Sequence, residues 1–153
     1  MYYSLIIIHS IVRWLVVVTL LYAVYRAYIG YKGSRLFSKT DNFIRHTTAT
    51  IAHIQLIVGI LLYSKSPIVK HFLIHPQNSE GSLEPLFFGV LHITAMLVAI
   101  VLITVGSSLA KRKDADVEKF KTMFWWFCAA LILIFIAIPW PFSPLAQRPF
   151  IRF

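Results

Sequence analysis

Residues 85–110 read PLFFGVLHITAMLVAIVLITVGSSLA, a run of 26 residues between Glu84 and Lys111 with no charged side chain. At a helical rise of about 1.5 Å per residue such a run reaches about 39 Å, more than the roughly 30 Å of bilayer hydrocarbon. Pro85 suits the first turn of a helix, where its missing N–H costs nothing. Lys111, Arg112 and Lys113 stop the run at its other end. One helix crossing a membrane is the simplest reading.

The rest of the chain repeats this pattern. Residues 1–12 and 14–25 are uncharged and interrupted only by Arg13; residues 46–64 and 122–147 are uncharged throughout. The expected fold is therefore all-α: a polytopic membrane protein, an up-down bundle of four transmembrane helices near 3–28, 43–63, 85–109 and 121–140. All of residues 1–153 belong to this one domain. Gly30 and Gly33 are expected to end the first span, and Thr40 or Asp41 to cap the second. Ser66 and Pro67 close the second; Pro139 and Pro141 close the fourth, since proline cannot continue the helix ladder. The N-terminal run lacks a basic region and a small-residue cleavage site, so it reads as a span rather than a signal peptide.

Composition agrees. Hydrophobic residues make up 58% and charged residues 14%, and the mean hydropathy is +0.73. Those values exclude a disordered chain and argue against a soluble enzyme. Cys128 is the single cysteine, which excludes an intrachain disulfide and Cys-based metal centres. The net charge of +9 is a topology signal rather than a nucleic-acid signal. Arg26, Lys32, Arg35, Lys39 and Arg45 follow the first span, and Lys111, Arg112, Lys113, Lys119 and Lys121 follow the third. Only Lys65, Lys70, Arg148 and Arg152 lie on the opposite side. The positive-inside rule then predicts a multi-pass protein of the inner (cytoplasmic) membrane with both termini outside, on the periplasmic side. Tyr2, Tyr3, Tyr63, Trp140 and Phe142 suit an outer aromatic belt, and Tyr28, Tyr31 and either Trp125 or Trp126 an inner one. The long outer loop near 64–84, with His71, His75, Pro76 and Gly81, is expected to fold back over the bundle mouth.

Ionisable residues inside spans are costly and mark function. Here they are His9, Arg13, His46, His53 and His92, with no Asp or Glu in any span. His9 and Arg13 share a face of the first helix. His46, Thr50 and His53 form one stripe of the second, from which Gln55 points away. Gly89, His92, Met96, Ala99 and Gly106 form a stripe of the third. The expectation is that His9, His53 and His92 gather in the outer half of the bundle, two of the three as axial ligands of a haem iron. Small residues such as Gly59, Gly89 and Ala99 would leave room for the porphyrin. Arg13, with no acidic partner, would meet a haem propionate. Taken singly, each histidine also suits an ordinary interhelical hydrogen bond, most of all His46 beside Thr47 and Thr48.

The segments His9-Ser10-Ile11-Val12-Arg13-Trp14, Ala52-His53-Ile54-Gln55 with Gly59 and Tyr63, His92 with Met96, and Ile138-Pro139-Trp140-Pro141-Phe142 resemble small bacterial four-helix membrane proteins labelled cytochrome b or cytochrome b-like. The resemblance spans nearly the whole chain. It implies non-covalent haem b and implicates His9, Arg13, His53 and His92. The function expected is electron transfer within a respiratory or redox complex near the periplasmic face, with quinone as a possible partner. Two other readings stand beside it: a haem-free accessory subunit of a larger membrane complex, with Gln55 on a subunit contact, and a quinone- or lipid-binding protein. All three place the chain among lipids and other membrane subunits, away from nucleic acid.

Overall fold

The computed structural model describes residues 1–75 and 83–151. Among the described residues five helices follow one another: α1 Tyr2–Lys32, α2 Lys39–Lys65, α3 Pro67–Ile74, α4 Glu84–Arg112 and α5 Asp116–Ala137. Within α4, Phe87–Leu91 forms a π turn. α1, α2, α4 and α5 are each long and apolar enough to cross a membrane, and the chain is a multi-pass membrane protein. No strand occurs among the described residues.

The four long helices alternate in direction. α1 packs on α2 and α5, and α4 packs on α2 and α5, so α1 and α4 stand diagonally opposite. The core is built from small and large side chains in alternation. Ala23, Ala27, Ala99 and Ala130 let backbones approach, while Leu20, Ile103, Phe120, Met123 and Phe127 fill the spaces between them. Apolar surface on the outside is correspondingly abundant, as lipid-facing helices require; Ile11, Val18, Ile57, Val101 and Ile132 are all exposed.

Local signals explain the helix ends, with corrections to the sequence reading. Ser38, not Thr40 or Asp41, is the N-cap of α2: its side chain accepts from the Asp41 N–H, and Asp41 reaches back to the Ser38 N–H in a capping box. Gly30 lies inside α1 rather than at its end, because Phe120 of α5 occupies the space a Cβ would need; Gly33 is the C-cap. Ser66 closes α2 and also caps α3, with Pro67 opening the new helix. Arg45, counted from sequence as a loop charge, is buried in α2, donating to the Ser107 carbonyl of α4 at 2.8 Å and to Asn42 at 2.8 Å. Asp41 is buried beside it. Its Oδ1 accepts from Arg26 at 2.7 Å and Arg35 at 2.8 Å, tying α1 and the α1–α2 loop to α2.

At the opposite end, α3 lies against the π turn of α4, where Phe72 fills the space beside Gly89. This is the expected fold-back of the loop near 64–84, carried by α3; Pro76 and Gly81 lie outside the described residues. After α5 the tail also returns to the bundle. Ala146 is buried, and Arg148 pairs with Glu84. Arg152 lies outside the described residues.

Candidate functional site

The sequence motif Pro139-Trp140-Pro141 builds one wall of the site. A helix carbonyl normally accepts from the N–H four residues on, and proline has none. Pro139 therefore leaves the Phe135 carbonyl without its ladder donor, and Pro141 does the same to Ala137. The indole N–H of Trp140 donates to the Phe135 carbonyl at 2.8 Å. His92 of α4 donates through Nδ1 to the Ala137 carbonyl at 2.8 Å. A carbonyl can only accept, so Nδ1 carries the proton and Nε2 of His92 is the bare nitrogen. Phe87 and Phe88 pack on the same imidazole, with ring centroids at 5.6 and 6.0 Å.

The π turn positions these groups. Its closing bond runs from the His92 N–H to the Phe87 carbonyl, five residues back. The Gly89 carbonyl within the turn receives the Tyr63 hydroxyl of α2 at 2.9 Å. Single π turns inside α-helices occur frequently at functional sites.

His9 approaches from α1. Its ring centroid lies 6.5 Å from that of His92, at an interplanar angle of 68°. Gln55 of α2 holds it: the Gln55 amide donates to the His9 carbonyl at 3.0 Å and lies 3.2 Å from His9 Nε2. The amide nitrogen is a donor, so Nε2 accepts and the ring proton resides on Nδ1. His9 Nδ1 is buried without a hydrogen-bond partner, as is Gln55 Oε1. Such orphaned buried atoms are rare and costly. Gly59 faces the His9 ring, where a Cβ would lie 3.4 Å from Cε1.

These groups surround a cavity of about 180 Å³ between α1, α2, α4 and α5, bordered by α3 and the tail. His9, Arg13, Gln55, His92, Met96 and Arg148 line it within an otherwise mostly apolar wall. Arg13, one turn below His9, does not meet an acid among the described residues. It donates through Nη2 to the backbone carbonyl of Phe150, which also accepts from the Trp14 indole at 2.8 Å, and its guanidinium lies 5.4 Å from the Trp14 ring centroid.

The expected convergence of three histidines is thus a convergence of two. His53 is exposed on the far side of α2, where its Nε2 lies 3.1 Å from the Thr104 hydroxyl of α4. His46 and Thr50 face outward with it. Gln55, expected outside, faces the cavity. The reason is the rotation of α2: Asp41, Arg45, Thr48 and Ala52, spaced four, three and four, form its buried stripe, and Gln55 and Gly59 continue that stripe to the cavity. Gly106 leaves no room for a ligand, since Trp126 fills that space, whereas Gly59, Met96 and Ala99 do line the cavity. Among the described residues no three His, Cys, Asp or Glu side chains converge as a metal cluster. Gln55, Arg148 and the Phe150 carbonyl are the site groups that the sequence reading missed. The chain matches no family model, no curated protein and no solved structure.

Proposed function

We propose that this protein binds haem b non-covalently between α1 and α4, where His9 and His92 would hold the iron, and that it transfers electrons. The carrying observation is the His9–His92 pair, set diagonally across the bundle at 6.5 Å. An imidazole–metal bond is roughly 2 Å, and a ring nitrogen lies about 1 Å from its centroid, so two imidazoles on one metal stand about 6 Å apart. The donor set suits the group in one further respect. His92 presents a bare Nε2 while its Nδ1–H holds a backbone carbonyl, the outer-shell bond that orients a ligating histidine. His9 Nδ1 is buried with no protein partner; it carries the ring proton while Nε2 accepts from Gln55, so holding the iron through Nδ1 would require that proton to leave it. When bound, haem supplies one-electron redox chemistry. The protein orients the two imidazoles, excludes water with an apolar wall and places the Arg13 guanidinium near the pocket.

The Lys and Arg asymmetry supports a cytoplasmic location for the α1–α2 and α4–α5 loops, which sets the site towards the periplasmic face of the bacterial inner membrane. Exposed His46, Thr50, His53 and Thr104 leave polar groups on a lipid-facing surface, which favours contact with a further membrane subunit there. A second reading rests on cavity size. About 180 Å³ is close to the roughly 150 Å³ of a dry cavity that admits benzene, so a quinone ring bonded by His9, Gln55 and Arg13 is the competing occupant.

The test is the reduced-minus-oxidised spectrum of purified protein supplied with haem. A six-coordinate bis-imidazole spectrum is expected, lost in His9→Ala and in His92→Ala. A colourless protein that takes up no pigment would overturn the proposal, and displacement of a bound quinone by quinone-site inhibitors would establish the second reading.

A further inference from the structure

Two guanidinium groups reach the cavity from opposite ends of the chain. Arg13 comes from α1 and is held by the Phe150 carbonyl, with its Nε buried and unpartnered. Arg148 comes from the tail. It pairs with Glu84 at the start of α4 and lies over the Phe88 ring, with Cζ 5.0 Å from the centroid. Phe88 in turn packs on His92. Among the described residues that line the cavity none is Asp or Glu. Two guanidinium groups thus border a mostly apolar space, Arg148 already paired with Glu84 and Arg13 held by a backbone carbonyl. A planar guanidinium is the side chain best shaped to take a carboxylate with two parallel hydrogen bonds.

We propose that Arg13 and Arg148 form a two-point carboxylate subsite in the wall of the cavity, so that the site selects an amphipathic ligand bearing paired acid groups on an apolar ring. The inference rests on the haem reading, in which those groups are the two propionates, and it assigns Arg148 a binding role. The tail is then part of the binding site. The Phe150 carbonyl holds Arg13 in place until a carboxylate takes over its N–H donors. Glu84 orients Arg148 and competes with the ligand for it.

The test uses the full chain in nanodiscs of neutral phosphatidylcholine, titrated with haemin and with haemin dimethyl ester, whose acid groups are blocked. Binding is read from the Soret band and from quenching of tryptophan fluorescence, since Trp14 lies beside Arg13 and Trp140 packs on Trp14. Haemin should bind more tightly than the diester. Arg148→Gln should weaken haemin by about tenfold to a hundredfold, the scale of one charge-assisted contact, and leave the diester unchanged. Glu84→Gln separates binding from folding: it breaks the same ion pair but spares the guanidinium, so haemin affinity should hold or rise. If Glu84→Gln behaves like Arg148→Gln, Arg148 is only a latch for the tail and the proposal falls. Equal affinity for haemin and diester in the wild type would also overturn it. So would loss of the haemin preference when phosphatidylglycerol replaces the neutral lipid, because the arginines would then be holding lipid phosphate. If fluorescence shows haemin favoured over its diester while no bis-imidazole spectrum forms, the carboxylate subsite stands and the axial-ligand reading fails. If neither porphyrin binds, both fail.

Discussion

Asp41→Asn tests the account of how the bundle is held at the end away from the cavity. The Asp41 side chain is 0% exposed. Its Oδ1 accepts from Arg26 at 3.0 and 2.7 Å and from Arg35 at 2.8 Å; its Oδ2 accepts from the Ser38 N–H at 3.0 Å and the Ser38 hydroxyl at 2.6 Å. Asparagine keeps one oxygen and turns the other position into a donor. In the best arrangement that oxygen stays on the guanidinium groups and the amide faces Ser38. The Ser38 hydroxyl can rotate to accept, but the Ser38 N–H loses its acceptor. That half of the capping box is worth about 1 kcal/mol. Loss of the negative charge removes a further ~1.5–3 kcal/mol of charge-assisted bonding to the two arginines. The expected destabilisation is about 3 kcal/mol, below the ~3–5 kcal/mol for deleting one partner of a buried pair outright. Unfolding in mixed micelles of increasing dodecyl sulfate, followed by tryptophan fluorescence, measures it. Asp114→Asn on the exposed α4–α5 loop is the control and should stay within about 0.5 kcal/mol of wild type. An Asp41→Asn midpoint no different from that control would refute the reasoning.

Gly106→Ala should destabilise by about 1–2 kcal/mol, because the new methyl overlaps Cβ of Trp126, which cannot move without its helix; the same unfolding assay reads it. Gly59→Ala meets His9 only at an ordinary contact of 3.4 Å, so stability should change by less than about 0.5 kcal/mol. His53→Ala and His46→Ala should leave any bound-haem spectrum unchanged, since both rings lie outside the cavity; loss of the spectrum in His53→Ala would restore His53 as a ligand. A C-terminal fluorescent fusion that matures only in the cytoplasm should remain dark, and a bright one would invert the proposed orientation.

The number, order and approximate bounds of the membrane helices were legible because charge is excluded from hydrocarbon, and uncharged runs therefore mark them directly. The diagonal placement of α1 and α4 is what an up-down bundle of four helices implies. Helix rotation was harder to read. On α2 the histidine stripe looked functional, yet Asp41 and Arg45 set the rotation by burying their charges against Arg26, Arg35 and Ser107, and so turned His53 outward and Gln55 inward. The pattern Asp41, Arg45, Thr48, Ala52 was present in the sequence, but a charge at a helix end reads equally well as a loop charge. The partner of Arg13 was not legible at all. It is a backbone carbonyl, which every residue has, delivered by a tail whose course depends on tertiary contacts.

The π turn gives α4 two independently adjustable halves. His92–Arg112 keeps its register through the packing of Ala99, Ile103 and Ala110 in the core. Glu84–Leu86 continues from it through the widened turn at Phe87–Leu91 and is held by α3 and by Arg148 of the tail. Deleting one residue there would restore ordinary helix and swing the first turn of α4 by about 100°, carrying Glu84 away from Arg148 and shifting Phe87 and Phe88 on the His92 ring while leaving the register of His92–Arg112 in the core unchanged. A single-codon insertion or deletion at this point is therefore an evolutionary dial for the mouth of the bundle. Descendants of one four-helix frame could change what enters the cavity without redesigning the frame that holds it.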